Sequence, residues 1–231
     1  MIKLSKKRFN LYELDYSLLE LLEWNKSDAV LDVGCGNGYR TGLIAHKVKW
    51  CIGLDIDLAS VEEANKSQKL DVVLGDGENL PFKDNTFTKV LCYTSFYLMN
   101  SQKVAKEMSR VLKLNGQLII TTSNKKHPYH IVNLILEKMK DYLLKTHSRR
   151  QNFLSPKEMI SLFENLGMSL QVCCSVNLYW PLIHSVIGMP IIPNFVMIKI
   201  VQISRKISKR LIKRKKCDPL AADYLLVFNK V

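Results

Sequence analysis

Val30-Leu31-Asp32-Val33-Gly34-Cys35-Gly36-Asn37-Gly38 is an apolar run, broken by one acid, that ends in three glycines spaced two apart. Such a run reads as a short strand, and glycines directly after it let the backbone approach a ligand where a side chain would collide. The spacing is not quite the GxGxxG of dinucleotide binders, because glycines fall at 34, 36 and 38 and residue 39 is Tyr.

Downstream of this turn, apolar strand-like runs at 50–54, 72–74, 87–93 and 116–122 alternate with helical spacing at 39–48, 58–68 and 104–112. Strands alternating with helices of about ten residues predict βαβ units and a mostly parallel sheet. Further along, Ser155-Pro156-Lys157-Glu158 is a helix-start signature, in which Ser caps, Pro fits the first turn and Glu reaches back to the cap. Strands are predicted at 168–174 and 224–228, and helices at 12–24 and 130–144 lie outside the simple alternation. Two more loops follow predicted strands. In Gly53-Leu54-Asp55-Ile56-Asp57, Asp55 ends the second strand, where a carboxylate can accept both hydroxyls of a ribose. In Leu74-Gly75-Asp76-Gly77-Glu78-Asn79-Leu80-Pro81-Phe82, Asp76 can accept from an adenine amino group. Loops at the carboxyl ends of adjacent parallel strands converge on one crevice.

With these stretches in place, the chain resembles the class I S-adenosylmethionine-dependent methyltransferases, close to the type 11 group that includes the ubiquinone and menaquinone methyltransferases. VLDVGCGNG, GLDID, GDGENLPFKDNTF and RVLKLNGQLIITT carry the resemblance over about residues 29–122, with a weaker match over 155–174. The resemblance implies a doubly wound, Rossmann-like α/β fold with a seven-stranded, mostly parallel sheet. It implies S-adenosyl-L-methionine as cofactor. Gly34 and Gly36 would face the methionine moiety with Asp32 supporting its amino group, and Gly38 would be a further cofactor-binding residue of the turn. Asp55 with Ile56 would hold the ribose, Asp76 and Gly77 would read adenine, and Tyr93 would border the methionine end and the acceptor. The chain departs from the family at Thr88, where an Asp is usual, at Tyr97, where a His is common, and at Lys113-Leu114-Asn115-Gly116. Asn115 tolerates the left-handed turn geometry required there.

Methyl transfer from a sulfonium needs an in-line nucleophile and, for a hydroxyl acceptor, a nearby base. Tyr97 and His127 are the candidates, set against a packed ring at the cleft and a solvated His-Pro loop. Cys92 lacks the preceding Pro of cytosine-C5 methyltransferases and reads as a buried strand cysteine. Asp57 reads as a helix cap, Glu78 as a loop carboxylate, and Asp84-Asn85 as a turn.

The net charge is +13, from 34 Lys and Arg against 21 Asp and Glu. Residues 1–10 hold four of the bases and residues 199–216 hold nine, with no acid in either stretch, so the remainder is neutral. At 47% apolar and 24% charged, the chain is not intrinsically disordered. Its six cysteines form no CxxC pair and no His lies at ligand spacing, so neither a metal site nor a disulfide framework is predicted. A reduced, cytoplasmic setting follows, and the N-terminus does not read as a signal peptide.

The chain reads as one methyltransferase domain over 1–231. Its parts are a basic segment and helix (1–28), a cofactor core (29–122), a substrate cap (123–154), the end of the core (155–175 and 221–231) and an apolar-then-polybasic insertion (176–220). From Asn165 to Ile198 there is no charged residue, and Pro181, Pro190 and Pro193 interrupt the apolar run, which argues against a straight spanning helix. Ile200, Ile203, Ile207 and Leu211 then recur among the bases as a basic amphipathic helix suited to an anionic membrane surface. A lid over the active site is the bland alternative. Residues 199–216 hold no aromatic residue, which argues against a nucleic-acid partner. The expected acceptor is a small hydrophobic, lipid-like or prenylated molecule. The rivals are an RNA methyltransferase using the basic segment for phosphate contacts and a non-catalytic cofactor-binding protein.

Overall fold

The computed structural model describes residues 22–67, 70–124, 152–176 and 223–231, with positions 135, 139, 142 and 143 besides. Most of the cap expected over 123–154, nearly all of the insertion expected over 176–220 and residues 12–21 of the helix expected over 12–24 lie outside the described residues. Ile135, Met139, Tyr142 and Leu143 are helical, as expected over 130–144, and exposed.

β1 (Ala29–Val33) is buried at every position, as a strand covered on both faces must be. It pairs in parallel with β2 (Trp50–Asp55) on one side and β4 (Phe87–Cys92) on the other. β3 (Asp71–Leu74) adds outside β2, and β5 (Leu112–Ser123) outside β4, both parallel. Helices α1 (Tyr39–Ala45), α2 (Leu58–Ser67) and α3 (Ser101–Val111) lie between these strands in sequence. α4 (Pro156–Glu164) precedes β6 (Met168–Val176), and β7 (Asp223–Lys230) runs antiparallel between β5 and β6. The strand order is β3-β2-β1-β4-β5-β7-β6, the seven-stranded, mostly parallel doubly wound sheet expected. The order reverses at β1 and β4, which opens a crevice at their carboxyl ends.

Each face carries its own core. Leu31, Val33 and Val90 pack with Val104, Met108 and Val111 of α3 and with Met159 and Phe163 of α4. Val30, Leu91 and Ile119 pack on the other face with Ile44 of α1. Full burial of each large side chain contributes about 1.5–3 kcal/mol, and Val104, Met108 and Val111 recur at helical spacing as the stripe that holds α3 on the sheet. Asn100 caps α3 by accepting from the Lys103 N–H at 3.2 Å. α4 opens with the expected capping box: Ser155 Oγ accepts from the Glu158 N–H and Glu158 accepts from the Ser155 N–H.

Three readings need correction. Residues 22–24, taken as the end of a helix, are not helical; Trp24 instead lies beneath the Lys89 ammonium, 5.3 Å from its ring centre, and the Glu23 carbonyl accepts from Lys89. β5 begins at Leu112, four residues before the predicted start, because the Asn115 turn (φ 62°) is accommodated within the strand as an irregularity of its register with β4. Cys173 is disulfide-bonded, which the spacing of the cysteines did not signal. Its neighbour Cys174 turns into the opposite core as a buried free thiol, as alternation along a strand requires.

Candidate functional site

The glycine turn after β1 is built by left-handed backbone: φ is +73° at Gly34, +55° at Gly36 and +75° at Gly38. The Gly34 and Cys35 N–H groups both donate to the Leu54 carbonyl, at 2.7 and 3.1 Å, locking the turn onto β2. Each glycine answers a different demand. A Cβ on Gly34 would stand 2.4 Å from Ser95 Oγ, and one on Gly38 would meet Ala64 and Leu70, whereas one on Gly36 would meet nothing within 4 Å. Gly36 therefore presents open backbone to the crevice, while Gly38 is a packing glycine that lets the turn approach α2.

Asp55, at the end of β2, gathers the neighbouring loops. Its Oδ2 accepts from the Gly36 N–H at 2.7 Å and its Oδ1 from the Asp57 N–H at 3.0 Å, while its carbonyl accepts from the Gly75 N–H at 2.9 Å. A carboxylate offers about four lone-pair directions, so two remain for a ligand. Asp76 Oδ1 accepts from the Glu78 N–H at 2.9 Å, fixing the loop after β3. Asp57 caps α2 through the N–H and hydroxyl of Ser60, which hold its carboxyl below the usual range.

Two cavities meet at this point. One, of about 300 Å³, is lined by Asp55, Ile56, Asp57, Gly75, Asp76, Gly77, Glu78 and Met99. The other, of about 380 Å³, is lined by Cys35, Gly36, Asn37, Arg40, Ser60, Glu63, Tyr93 and Thr94. Gly34, Asp55, Ser95 and Leu98 line both, so they form two halves of one cleft. Ile56 is 52% exposed and offers an apolar surface beside the Asp55 carboxylate. Among the described lining residues, Asp55, Asp57, Glu63, Asp76 and Glu78 face a single base, Arg40. Such a lining favours a cation and disfavours a phosphate.

The structure brings together Gly34, Gly36, Asp55, Ile56, Asp76, Gly77 and Tyr93 from the predicted set. Asp32 lines neither cavity: it is 2% exposed behind the turn and accepts from the Thr41 hydroxyl at 2.7 Å. Burial lifts its carboxyl to about 6. Tyr97 lines neither cavity and stacks on Phe153, ring centres 4.7 Å apart, so its ring is a packing group. His127 lies outside the described residues. Cys92 is fully buried, its thiol pushed up to about 12 by that burial, which leaves no nucleophile there.

Sequence reading missed Arg40, Ser95 and Met99. Arg40 sits 4.1 Å above the Tyr93 ring. Ser95 donates to the Val33 carbonyl at 3.0 Å and is delivered to the glycine turn by a left-handed Thr94 (φ 56°), a conformation that no residue type there announces.

A family described as a methyltransferase domain matches residues 31–120. The demethylmenaquinone methyltransferase of Corynebacterium urealyticum is 34% identical over 100 residues, 43% of this chain and 43% of that protein. The chain spans about half or less of the length of such curated relatives. Among solved structures, a methyltransferase of Thermotoga maritima superposes with a TM-score of 0.65 at 19% identity, covering 95% of this chain and 89% of that one. A geranyl diphosphate methyltransferase, solved with geranyl diphosphate and sinefungin, superposes with a TM-score of 0.66 at 16% identity, covering 95% and 77%. These likenesses share the fold, and the sequence match falls on the strands and loops that build the cleft. Residues 31–120 thus match a methyltransferase domain, set in the fold these solved methyltransferases share.

Proposed function

We propose that the chain transfers a methyl group from S-adenosyl-L-methionine to a small hydrophobic, lipid-like or prenylated acceptor. The observation that carries the cofactor assignment is the two-lobed acidic cleft joined at Asp55. One lobe offers a ribose acceptor, an apolar Ile56 and the Asp76 loop, which suit adenosine. The other offers the open Gly36 backbone, Tyr93 and one arginine, which suit a short zwitterionic chain. When bound, the cofactor supplies an electrophilic methyl carried on a cationic sulfur. The carboxylates of the lining favour that cation and lose the attraction once the charge is gone, which assists product release. Gly34 and Gly36 hold the backbone open to the methionine end, with Asp32 supporting the turn from behind through Thr41. Tyr93 borders the acceptor side, and positioning supplies most of the acceleration.

The hydrophobic acceptor is favoured by the likeness to the demethylmenaquinone and geranyl diphosphate methyltransferases, together with the apolar and basic stretch at 178–216. No helix among the described residues is long and apolar enough to cross a membrane. We place the enzyme at an anionic membrane surface, docked through 178–216, where a lipid-like acceptor is drawn from the bilayer. Incubation with radiolabelled S-adenosylmethionine and a cell extract tests the reading. Label in the lipid fraction supports it. Label in RNA favours an RNA methyltransferase, label in protein a different acceptor class, and binding without turnover a non-catalytic role.

A further inference from the structure

We infer that α3 is a rigid template for the loop after β3, and that Arg110 and Glu107, which line neither cavity, are positioning residues for the base-binding end of the cleft. The inference rests on the cofactor reading above. Arg110 engages all five of its donors. Nε and Nη2 reach the two Glu107 oxygens at 2.8 and 2.7 Å, and Nη1 reaches Asp84 at 2.7 Å. The remaining two donate to backbone carbonyls of the loop, Phe82 at 2.7 Å and Leu80 at 3.0 Å. Glu107 also accepts the Leu80 N–H at 2.8 Å. Both polar groups of the Leu80 backbone are therefore held by side chains of α3.

The same loop is gripped at the start of the helix. Glu78 accepts from the Asn100 N–H at 2.8 Å and faces Lys103 at 3.6 Å. Met99 Sδ lies 2.6 Å from where a Gly77 Cβ would stand. Between the two grips only Asn79 is left, and its N–H donates to the Asp76 carbonyl at 3.0 Å. The orientation of Asp76 thus follows from where α3 holds residues 78 and 80. A lysine at 110 could not do this, because a point charge cannot span two carbonyls and two carboxylates as a planar fork does.

The test is calorimetric titration of the full chain with S-adenosylhomocysteine and with its inosine counterpart, whose base carries oxygen in place of the exocyclic amine. The wild type is expected to prefer the adenine ligand at least tenfold. Arg110→Met should cut that preference below threefold, and Arg110→Lys should restore it only in part. Ser155→Ala, which removes the cap of α4 at a residue lining neither cavity, should lower stability without moving the ratio. If Arg110→Met does not fold, Glu107→Gln, which keeps the side chain's volume, must lower the ratio at least threefold. An unchanged ratio in the variants, whatever their stability, overturns the inference, as does a wild type with no preference. A wild type that binds neither ligand overturns the cofactor reading itself.

Discussion

Gly34→Ala probes the turn on which the whole cleft is hung. Two costs can be worked from the geometry. At φ +73° an L side chain sits in left-handed backbone, at about 1–2 kcal/mol. The new Cβ would also lie 2.4 Å from Ser95 Oγ and 2.5 Å from Ser95 Cβ, well inside contact. Ser95 cannot yield freely, because its hydroxyl is bonded to the Val33 carbonyl. Overpacking of this kind costs about 1–3 kcal/mol, for a total of about 2–5 kcal/mol. Replacing Ser95 with Gly removes both clashing atoms and leaves only its Cα, 4.0 Å away. In the Ser95→Gly background, Gly34→Ala should therefore cost only the backbone share, about 1–2 kcal/mol. A double-mutant cycle by urea unfolding reads the difference as a coupling of about 1–3 kcal/mol. A coupling below about 0.5 kcal/mol, the scatter of independent sites, refutes the claim that Gly34 is required by Ser95.

Further outcomes follow from single groups. Burial raises the Asp32 carboxyl from 3.8 to about 6, so the folded chain holds this proton more tightly than the unfolded one. Its contribution to stability is complete below pH 3.8 and is lost as the pH rises through 6. Asp32→Asn should flatten the urea-measured stability between those values by roughly 3 kcal/mol. Lys230 donates to the carbonyls of Ser109 and Leu112, at 2.8 and 2.7 Å, and to Asn85 at 3.1 Å. Lys230→Met should destabilise by about 2–3 kcal/mol while changing S-adenosylhomocysteine affinity less than twofold. Deleting residues 178–216 should abolish association with anionic liposomes and leave cofactor binding intact. Liposome association that survives the deletion removes the membrane assignment.

The parts of the fold legible in the sequence are those fixed by local chemistry. Leu31 and Val33 could only be strand, Gly36 only an open turn, and Ser155 with Glu158 only a helix start. Asp55 was legible as the residue that ends β2 at the cleft. The rest depended on partners distant in sequence. Gly38 matched the spacing of a ligand turn, yet its demand comes from Ala64 and Leu70. Asp32 adjoins the turn, but β1 directs it toward Thr41 instead of into the cleft. For Tyr97 a base and a packed ring were both open, and the ring's partner, Phe153, lies 56 positions later in the chain. Ser95 and Met99 enter through a left-handed Thr94 and a turn of 3₁₀ helix, for which residue type gives no notice.

The most direct test of the account is calorimetric titration of S-adenosylmethionine into the wild-type chain and into Asp55→Ala. The account predicts one site per chain, with affinity reduced at least tenfold when the Asp55 carboxylate is removed. No binding to the wild type, or equal affinity in the two, contradicts it.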